Sequence, residues 1–308
     1  RSNLTGTNKF ELLLFRLGGD ANGDHSELFG INVFKIREIV AMPPITAIAG
    51  SLPHVLGVVN LRGQIIQVMD LPSISGVIPK TGLNIMLVTE FARTTQAFAV
   101  ESVEDIVRLD WSQVMSAEGT TAGGMVTSIA RIDDGNEHPR LVQVLDVETI
   151  LRRMTPSDKP DVDPNTIGPQ IRLRPGTSIL AADDSVVARA LIEQGLTAMG
   201  AAYIMTKSGQ ECWDKLQSIA TAAEKEGKTV QDKIALVLTD LEMPEMDGFT
   251  LTRNIKQATR YAGIPVVIHS SLTGTTNEDH VKSVGADAYV AKFAADELAA
   301  TIRGVLPH

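Results

Sequence analysis

Cysteine is almost absent from this sequence. Cys212 is the single one in 308 residues, which excludes an intramolecular disulfide and a cysteine-ligated metal cluster. Cys212 falls in an expected helix, where a bland packing or partly exposed thiol is its simplest role. A basic excess is also missing. Lys plus Arg number 28 against 37 Asp plus Glu, a formal net charge of −9. The deficit holds in both halves, with 13 basic against 17 acidic residues up to Thr155 and 15 against 20 after it. Nucleic-acid binders carry a basic patch or stripe as their electrostatic footprint, so no nucleic-acid partner is expected. No apolar run reaches bilayer-spanning length, so no direct membrane insertion is expected. No signal-peptide pattern opens the chain, although a start at Arg1 rather than Met leaves room for a short native segment ahead of it. A cytoplasmic setting fits these absences.

What the chain does have is length for two domains and an ordinary globular composition, 44% hydrophobic and 21% charged. The two halves differ in periodicity. From about residue 8 to 154, short apolar runs recur between turns, at 11–17, 28–33, 36–40, 55–63, 64–70, 83–88, 95–100, 102–107 and 141–145. The 55–63 and 64–70 runs read as a hairpin turning near Arg62-Gly63, residues 18–24 as a turn, and 52–56 as a short helix. Regular short strands with turn chemistry predict an all-β barrel or sandwich. Residues 155–175 follow as a linker holding Pro156, Pro160, Pro164 and Pro169. Proline density and low hydrophobicity predict an extended, exposed, flexible connector.

From 176 to 308 strands and helices alternate. Strands are expected at 178–182, 202–205, 234–239, 264–269 and 288–290. Helices are expected at 186–199, from Ser208 to about 224, and at 248–261, 276–284 and 295–305. Ser185 suits an N-cap, Gly200 the position after a helix end, and Ser208-Gly209-Gln210-Glu211 a capping box. Five such units predict a doubly wound parallel sheet, whose ligand site lies at the carboxyl ends of its strands.

Those ends carry the chemistry. The first strand delivers Asp183 and Asp184, the third Asp240, the fourth Ser270 and the fifth Lys292. Three carboxylates together repel unless a cation joins them, and Mg²⁺ suits hard oxygen ligands. One carboxylate could then act as a nucleophile toward a phosphoryl group, with a lysine and a hydroxyl on the phosphoryl oxygens. Plainer roles compete. Asp184 is about as well explained as a helix cap, Asp247 reads as a cap ahead of Gly248, His269 as a half-buried core residue, and Tyr289 alone as an ordinary strand aromatic.

The Asp-Asp pair, the run Asp240-Leu241-Glu242-Met243-Pro244-Glu245-Met246-Asp247-Gly248, the serine and the lysine together resemble a response-regulator receiver domain, over residues 176–308. The resemblance implies a flavodoxin-like (βα)5 fold with Asp240 as phosphoacceptor. It implies Mg²⁺ held by Asp183, Asp184, Asp240 and the carbonyl of Glu242, with Ser270 following the phosphoryl group, Tyr289 as switch aromatic and Lys292 on the phosphate. Two departures stand out. Phe293 occupies the usual proline position after the lysine, which leaves the usual cis peptide open. The span from Asp184 to Asp240 is long, with polar extra residues around 221–232.

In the first half, the run from Gly57 through Asn60, Arg62, Gly63 and Gln67 to Leu71, preceded by Phe29-Gly30-Ile31-Asn32-Val33 and Ile36-Arg37-Glu38-Ile39, resembles the CheW-like coupling domain. Gln67 stands where that family usually has proline. A solvated arginine on a hairpin is the plainer reading of Arg62. The resemblance implies a double β-barrel, with Arg62, Glu38 and Ile39 near contacts to partners. Those partners are the histidine kinase CheA and the cytoplasmic tips of methyl-accepting chemoreceptors. A CheW-like domain joined to a receiver resembles the CheV family of chemotaxis adaptors. It implies a phosphorylation-tuned scaffold recruited to receptor arrays, not an enzyme with a separate substrate. A phosphate sink draining CheA and a receiver-controlled nucleic-acid-binding barrel are the alternatives.

Overall fold

The computed structural model describes residues 9–307 apart from 20–25, 92–93, 118–123, 134, 136, 157–159, 244, 272–278 and 280. The chain divides into two compact units, Lys9–Pro156 and Ser157–His308.

The first unit is built on strands. They are β1 (Phe10–Gly19), β2 (Ser26–Asn32), β3 (Ile36–Ala41), β4 (Val55–Leu61), β5 (Gln64–Asp70), β6 (Ile85–Phe91), β7 (Thr94–Val100), β8 (Ser102–Leu109), β9 (Val114–Ser116), β10 (Val126–Ile132) and β11 (Arg140–Leu145). They form a six-stranded sheet in the order β8-β1-β2-β11-β10-β9 and a five-stranded one in the order β3-β6-β7-β5-β4. The second sheet curls until its edges meet. Thr46, just past β3, and Val58 of β4 exchange two backbone hydrogen bonds of 2.9 Å each. Gly57 makes that approach possible: its φ is 145°, and a Cβ there would lie 2.1 Å from the Thr46 carbonyl oxygen. Closing the edge removes unpaired backbone groups that would otherwise template aggregation.

Strand β1 is continuously apolar from Leu12 to Phe15 because both of its faces are buried there. Leu13, Phe15 and Leu17 join Met69 and Phe98 in one core, while Leu12 and Leu14 join Ala130 and Val142 in another. A third core, with Val59, Ile66, Val68 and Val88, fills the closed sheet.

Two expectations for this unit need correction. Residues 52–56 form no helix. The chain turns at Pro53-His54, His54 takes φ 67°, and Val55 already pairs with Met69 in β4. Val33 leaves the strand for a 3₁₀ turn, Val33–Lys35, because the Asn32 side chain accepts a hydrogen bond from the Phe34 amide. Strands β9 and β10 and the helices α1 (Leu71–Ser75) and α2 (Val147–Met154) are additions, each helix capped by an aspartate, Asp70 or Asp146. The turn expected at 18–24 falls mostly outside the described residues.

The second unit contains β12 (Ser178–Ala182), α3 (Val186–Ala198), β13 (Tyr203–Thr206), α4 (Gly209–Lys225), β14 (Ile234–Thr239), α5 (Gly248–Gln257), β15 (Val266–Ser270), β16 (Ala288–Ala291) and α6 (Ala295–Val305). All neighbouring strands pair in parallel in the order β13-β12-β14-β15-β16. Helices α3 and α6 cover one face, and α4 and α5 the other. The strand order reverses at β12, so the crevice lies over the carboxyl ends of β12 and β14.

The helix expected to run to Tyr261 instead stops at Gln257. Ala258 turns extended and a separate 3₁₀ turn, Thr259–Tyr261, buries Tyr261 edge-on to Trp213 at 5.4 Å. Of the helix expected at 276–284, residues 276–278 and 280 lie outside the described residues, and 281–283 are helical. The extra residues around 221–232 finish α4 and form a 3₁₀ turn, Val230–Asp232. Arg260 clasps them, holding both Glu224 carboxylate oxygens at 2.8 and 2.9 Å and Thr221 at 2.9 Å.

The proline-bearing connector has no regular secondary structure over 160–175, as its composition predicts, but the expected exposure is only partial. Ile167 and Ile171 are 2% and 5% exposed within the core of the second unit. The Ile171 amide donates to the Met199 carbonyl at 2.8 Å, and Arg303 donates to the carbonyls of Ile167 and Pro169 at 3.0 Å. Apolar residues spaced between the prolines outweigh the polar average.

Candidate functional site

Strand β12 ends in a buried carboxylate. Asp183 has no solvent exposure, and its Oδ1 accepts from the Ser185 amide at 3.0 Å. Ser185, not Asp184, caps α3 by accepting from Ala188. The cap reading of Asp184 therefore gives way, leaving this half-buried carboxylate beside the crevice. Strand β14 delivers Asp240, 7% exposed, which is anchored twice. Its amide donates to the Ala182 carbonyl at 3.0 Å, and its Oδ1 accepts from the Leu241 amide at 2.8 Å. One ligand atom from each of Asp183, Asp184 and Asp240 lies within 4.8 Å of the others.

Lys292 enters from the loop after β16. Its Nζ sits 2.7 Å from Asp183 Oδ2 and 3.4 Å from Asp240 Oδ2, and the side chain is 5% exposed. Its amide donates to the Ser270 carbonyl at 2.8 Å, which ties the lysine loop to the end of β15. The Lys292-Phe293 peptide is cis, although no proline follows the lysine. Ser270 is buried at the β15 end. Tyr289, paired with Ile268 across β15 and β16, is half-buried beside Leu241 and Val281.

Other assignments sort themselves out. Asp247 caps α5, accepting from the Thr250 amide at 2.7 Å. His269 is fully rather than half buried, edge-on to Phe293 at 5.3 Å. Glu242 is half-buried two residues past Asp240. Cys212 is buried in α4, and desolvation pushes its thiol up to about 12. The Ser208 cap accepts from Glu211, but the returning Glu211 carboxylate takes the Lys207 amide at 3.2 Å.

Two residues were missed. Arg189, 8% exposed on α3, donates to the Asp183 carbonyl at 3.0 Å. Its signal was an arginine on the apolar side of an amphipathic helix. Gly248 abuts Asp240: a Cβ there would lie 2.1 Å from the Asp240 carbonyl oxygen.

In the first unit, Arg62 and Gly63 both take positive φ, 50° and 85°, as a two-residue type I′ hairpin requires. Asn60 Oδ1 accepts from the Gly63 amide at 2.9 Å. The turn presents Arg62, whose guanidinium meets Glu38 at 2.5 Å, while Arg37 reaches Gln64 at 2.9 Å. These contacts join edge strand β3 to the β4–β5 hairpin at the other side of the closed sheet. Ile39 is 41% exposed on the alternate side of the pleat from Glu38.

The comparisons agree with this division. Residues 11–154 match the CheW-like domain family and residues 179–303 the response regulator receiver domain family. Over 301 residues the chain is 31% identical to chemotaxis protein CheV2 of Helicobacter pylori, covering 92% of this chain and 91% of that protein. The chain belongs to the CheV family. It is 29% identical over 306 residues to a second CheV, chemotaxis protein CheV3 of the same organism, covering 97% of this chain and 95% of that one. Like other CheV proteins it is thus a chemotaxis signalling adaptor in architecture, with a CheW-like and a receiver domain. Among the described residues, no helix is long and apolar enough to cross a membrane.

Receiver domains generally bind Mg²⁺, and the donor set of this CheV chain fits that ion. Three carboxylates and one lysine leave two formal negative charges among hard oxygen donors, which a divalent cation balances.

Proposed function

We propose that the protein couples chemoreceptors to the histidine kinase CheA, and that phosphorylation of Asp240 regulates this coupling. The observation that carries the reading is Lys292 set between Asp183 and Asp240 at 2.7 and 3.4 Å within the three-acid cluster, in a chain whose other unit is CheW-like.

The chemistry follows from those positions. An Asp240 carboxylate oxygen attacks the phosphorus of the kinase phosphohistidine. The new O–P bond forms as the P–N bond breaks, and the imidazole nitrogen leaves with the electron pair. Lys292 lies ready to neutralise a phosphoryl oxygen, the Ser270 hydroxyl donates to another, and Tyr289 responds to the change beside β15. Asp183, Asp184, Asp240 and the Glu242 carbonyl would hold Mg²⁺, which when bound would further neutralise the phosphoryl charge. Arg189 positions Asp183 by holding its carbonyl. Water then attacks the acyl phosphate, releasing inorganic phosphate and restoring Asp240, so the only reaction is the receiver's own. Arg62, Glu38 and Ile39 belong to the surface that meets the kinase or the cytoplasmic receptor tips, where the protein joins arrays.

The test is incubation with radiolabelled phospho-CheA. The label is expected on the wild type and on no Asp240→Asn protein. In reconstituted receptor arrays, the same substitution is expected to abolish the phosphorylation-dependent change in kinase activity. Label retained on Asp240→Asn would refute the assignment of the phosphoacceptor.

A further inference from the structure

The receiver unit has a second concavity, at the opposite end of its sheet from the acids. It encloses about 580 Å³, within the range that holds small organic ligands. It lies where β14 begins at Ile234 and where Ile264 leads into β15. At roughly 3.3 Å per strand residue, the five residues of β12 put it on the order of 16 Å from Asp183.

Three features that the proposed phosphoryl chemistry leaves unused converge there. The buried connector supplies Arg172, Leu173 and Arg174, the extra segment after α4 supplies Gln231, and the chain beyond α6 supplies Leu306. Gln231 is itself held in place, its amide donating to the Arg260 and Ala262 carbonyls at 3.1 and 2.9 Å. Leu173, Ile234, Ile264 and Leu306 thus share one lining with Arg172 and Arg174.

Among the described residues the lining contains both arginines and no carboxylate side chain, in a chain of net charge −9. Asp232 stands beside the rim, paired with Arg174 at 3.0 Å. The Thr229 amide and hydroxyl donate to one oxygen of that carboxylate, Oδ2, at 2.9 and 3.1 Å and hold it below the usual carboxylate range, while Arg174 takes the other, Oδ1. Arg174 engages it through a single nitrogen, so a guanidinium fork still has donors to offer a second anion. Arg172 makes no ion pair or hydrogen bond among the described residues. Two arginines and four large apolar residues around one cavity match one ligand chemistry, a small organic anion with an apolar body.

We propose that this cavity binds such an amphipathic anion, with Arg172 and Arg174 on its charged head and the apolar residues on its tail. The site is separate from the phosphoacceptor, and its test does not depend on phosphorylation.

Octanoate serves as the probe and octanol as its uncharged counterpart, titrated into the full-length protein by isothermal calorimetry. Octanoate is expected to bind one-to-one and more tightly than octanol. Arg172→Gln is expected to weaken it about tenfold, the scale of one charge-assisted contact, with a further loss in Arg172→Gln/Arg174→Gln. Ala262→Trp, at a lining position on an exposed turn, is expected to block binding of both probes with the melting temperature preserved. Absence of saturable octanoate binding, equal affinity for octanol, or unchanged affinity in the double variant would each overturn the proposal.

Discussion

At the scale of the residue, the proposed phosphoacceptor depends on a neighbour with no side chain. Gly248 has a Cβ position 2.1 Å from the Asp240 carbonyl oxygen, so Gly248→Ala forces the loop that presents Asp240 to move. Overpacking of this kind costs on the order of 1–3 kcal/mol. Denaturant unfolding is expected to show that loss, and transfer from phospho-CheA to fall with it. Cys212 gives a second outcome. Its thiol is fully buried and raised from 9.0 to about 12, so thiol reagents should label it only after unfolding. Below pH 9 the thiol is protonated in both states and its contribution is intact. Between 9 and about 12 the unfolded chain ionises while the folded one keeps its proton, so stability falls as pH rises. Cys212→Ala is expected to lose less stability than wild type across that window, measured by denaturant midpoints. The acids, the serine and the lysine could be picked from the sequence because strand ends in a parallel sheet converge by topology. Arg189 and Gly248 were visible only as an arginine on an apolar helix side and the end of the Asp240–Gly248 run, because their roles lie in contacts with the backbone of Asp183 and Asp240.

At the scale of the element, the second unit was the more legible. Its strands and helices alternate with distinct periods, and Ser185, Ser208 and Asp247 mark helix starts where the structure has them. The short elements of the first unit were harder. Three-residue β9 and five-residue α1 fall below the length over which periodicity can register. The connector misled because prolines set backbone shape without saying whether Ile167 and Ile171 find a core. The closure of the five-stranded sheet into a barrel was anticipated, but its place was hidden, since the Thr46–Val58 bridge is an isolated pair with no periodic signal. It can be tested at its glycine. Gly57→Ala places a methyl group against the Thr46 carbonyl at a φ of 145°, and should lower the stability of the first unit by about 1–3 kcal/mol. Gly50→Ala, where a Cβ meets nothing within 4 Å, is the control for left-handed strain alone.

At the scale of the whole molecule, the two units should answer differently to one ion. Mg²⁺ binding at the proposed acid site would stabilise the folded receiver by mass action, about 2.7 kcal/mol at a hundredfold excess over the dissociation constant. Calorimetry is expected to show the receiver transition moving up with Mg²⁺ and the other staying in place. Asp184→Asn should blunt the response, and equal shifts in the two proteins would contradict the acid site. The unmoved transition is itself informative. Because β1 supplies Leu12 and Leu14 to one core and Leu13, Phe15 and Leu17 to another, neither core can dissolve without stripping the opposite side of the same ten residues. Melting of the first unit should therefore be all-or-none, with calorimetric and van't Hoff enthalpies equal. Leu12→Ala and Leu13→Ala, on opposite faces of one strand, should displace a single shared peak rather than split it into two.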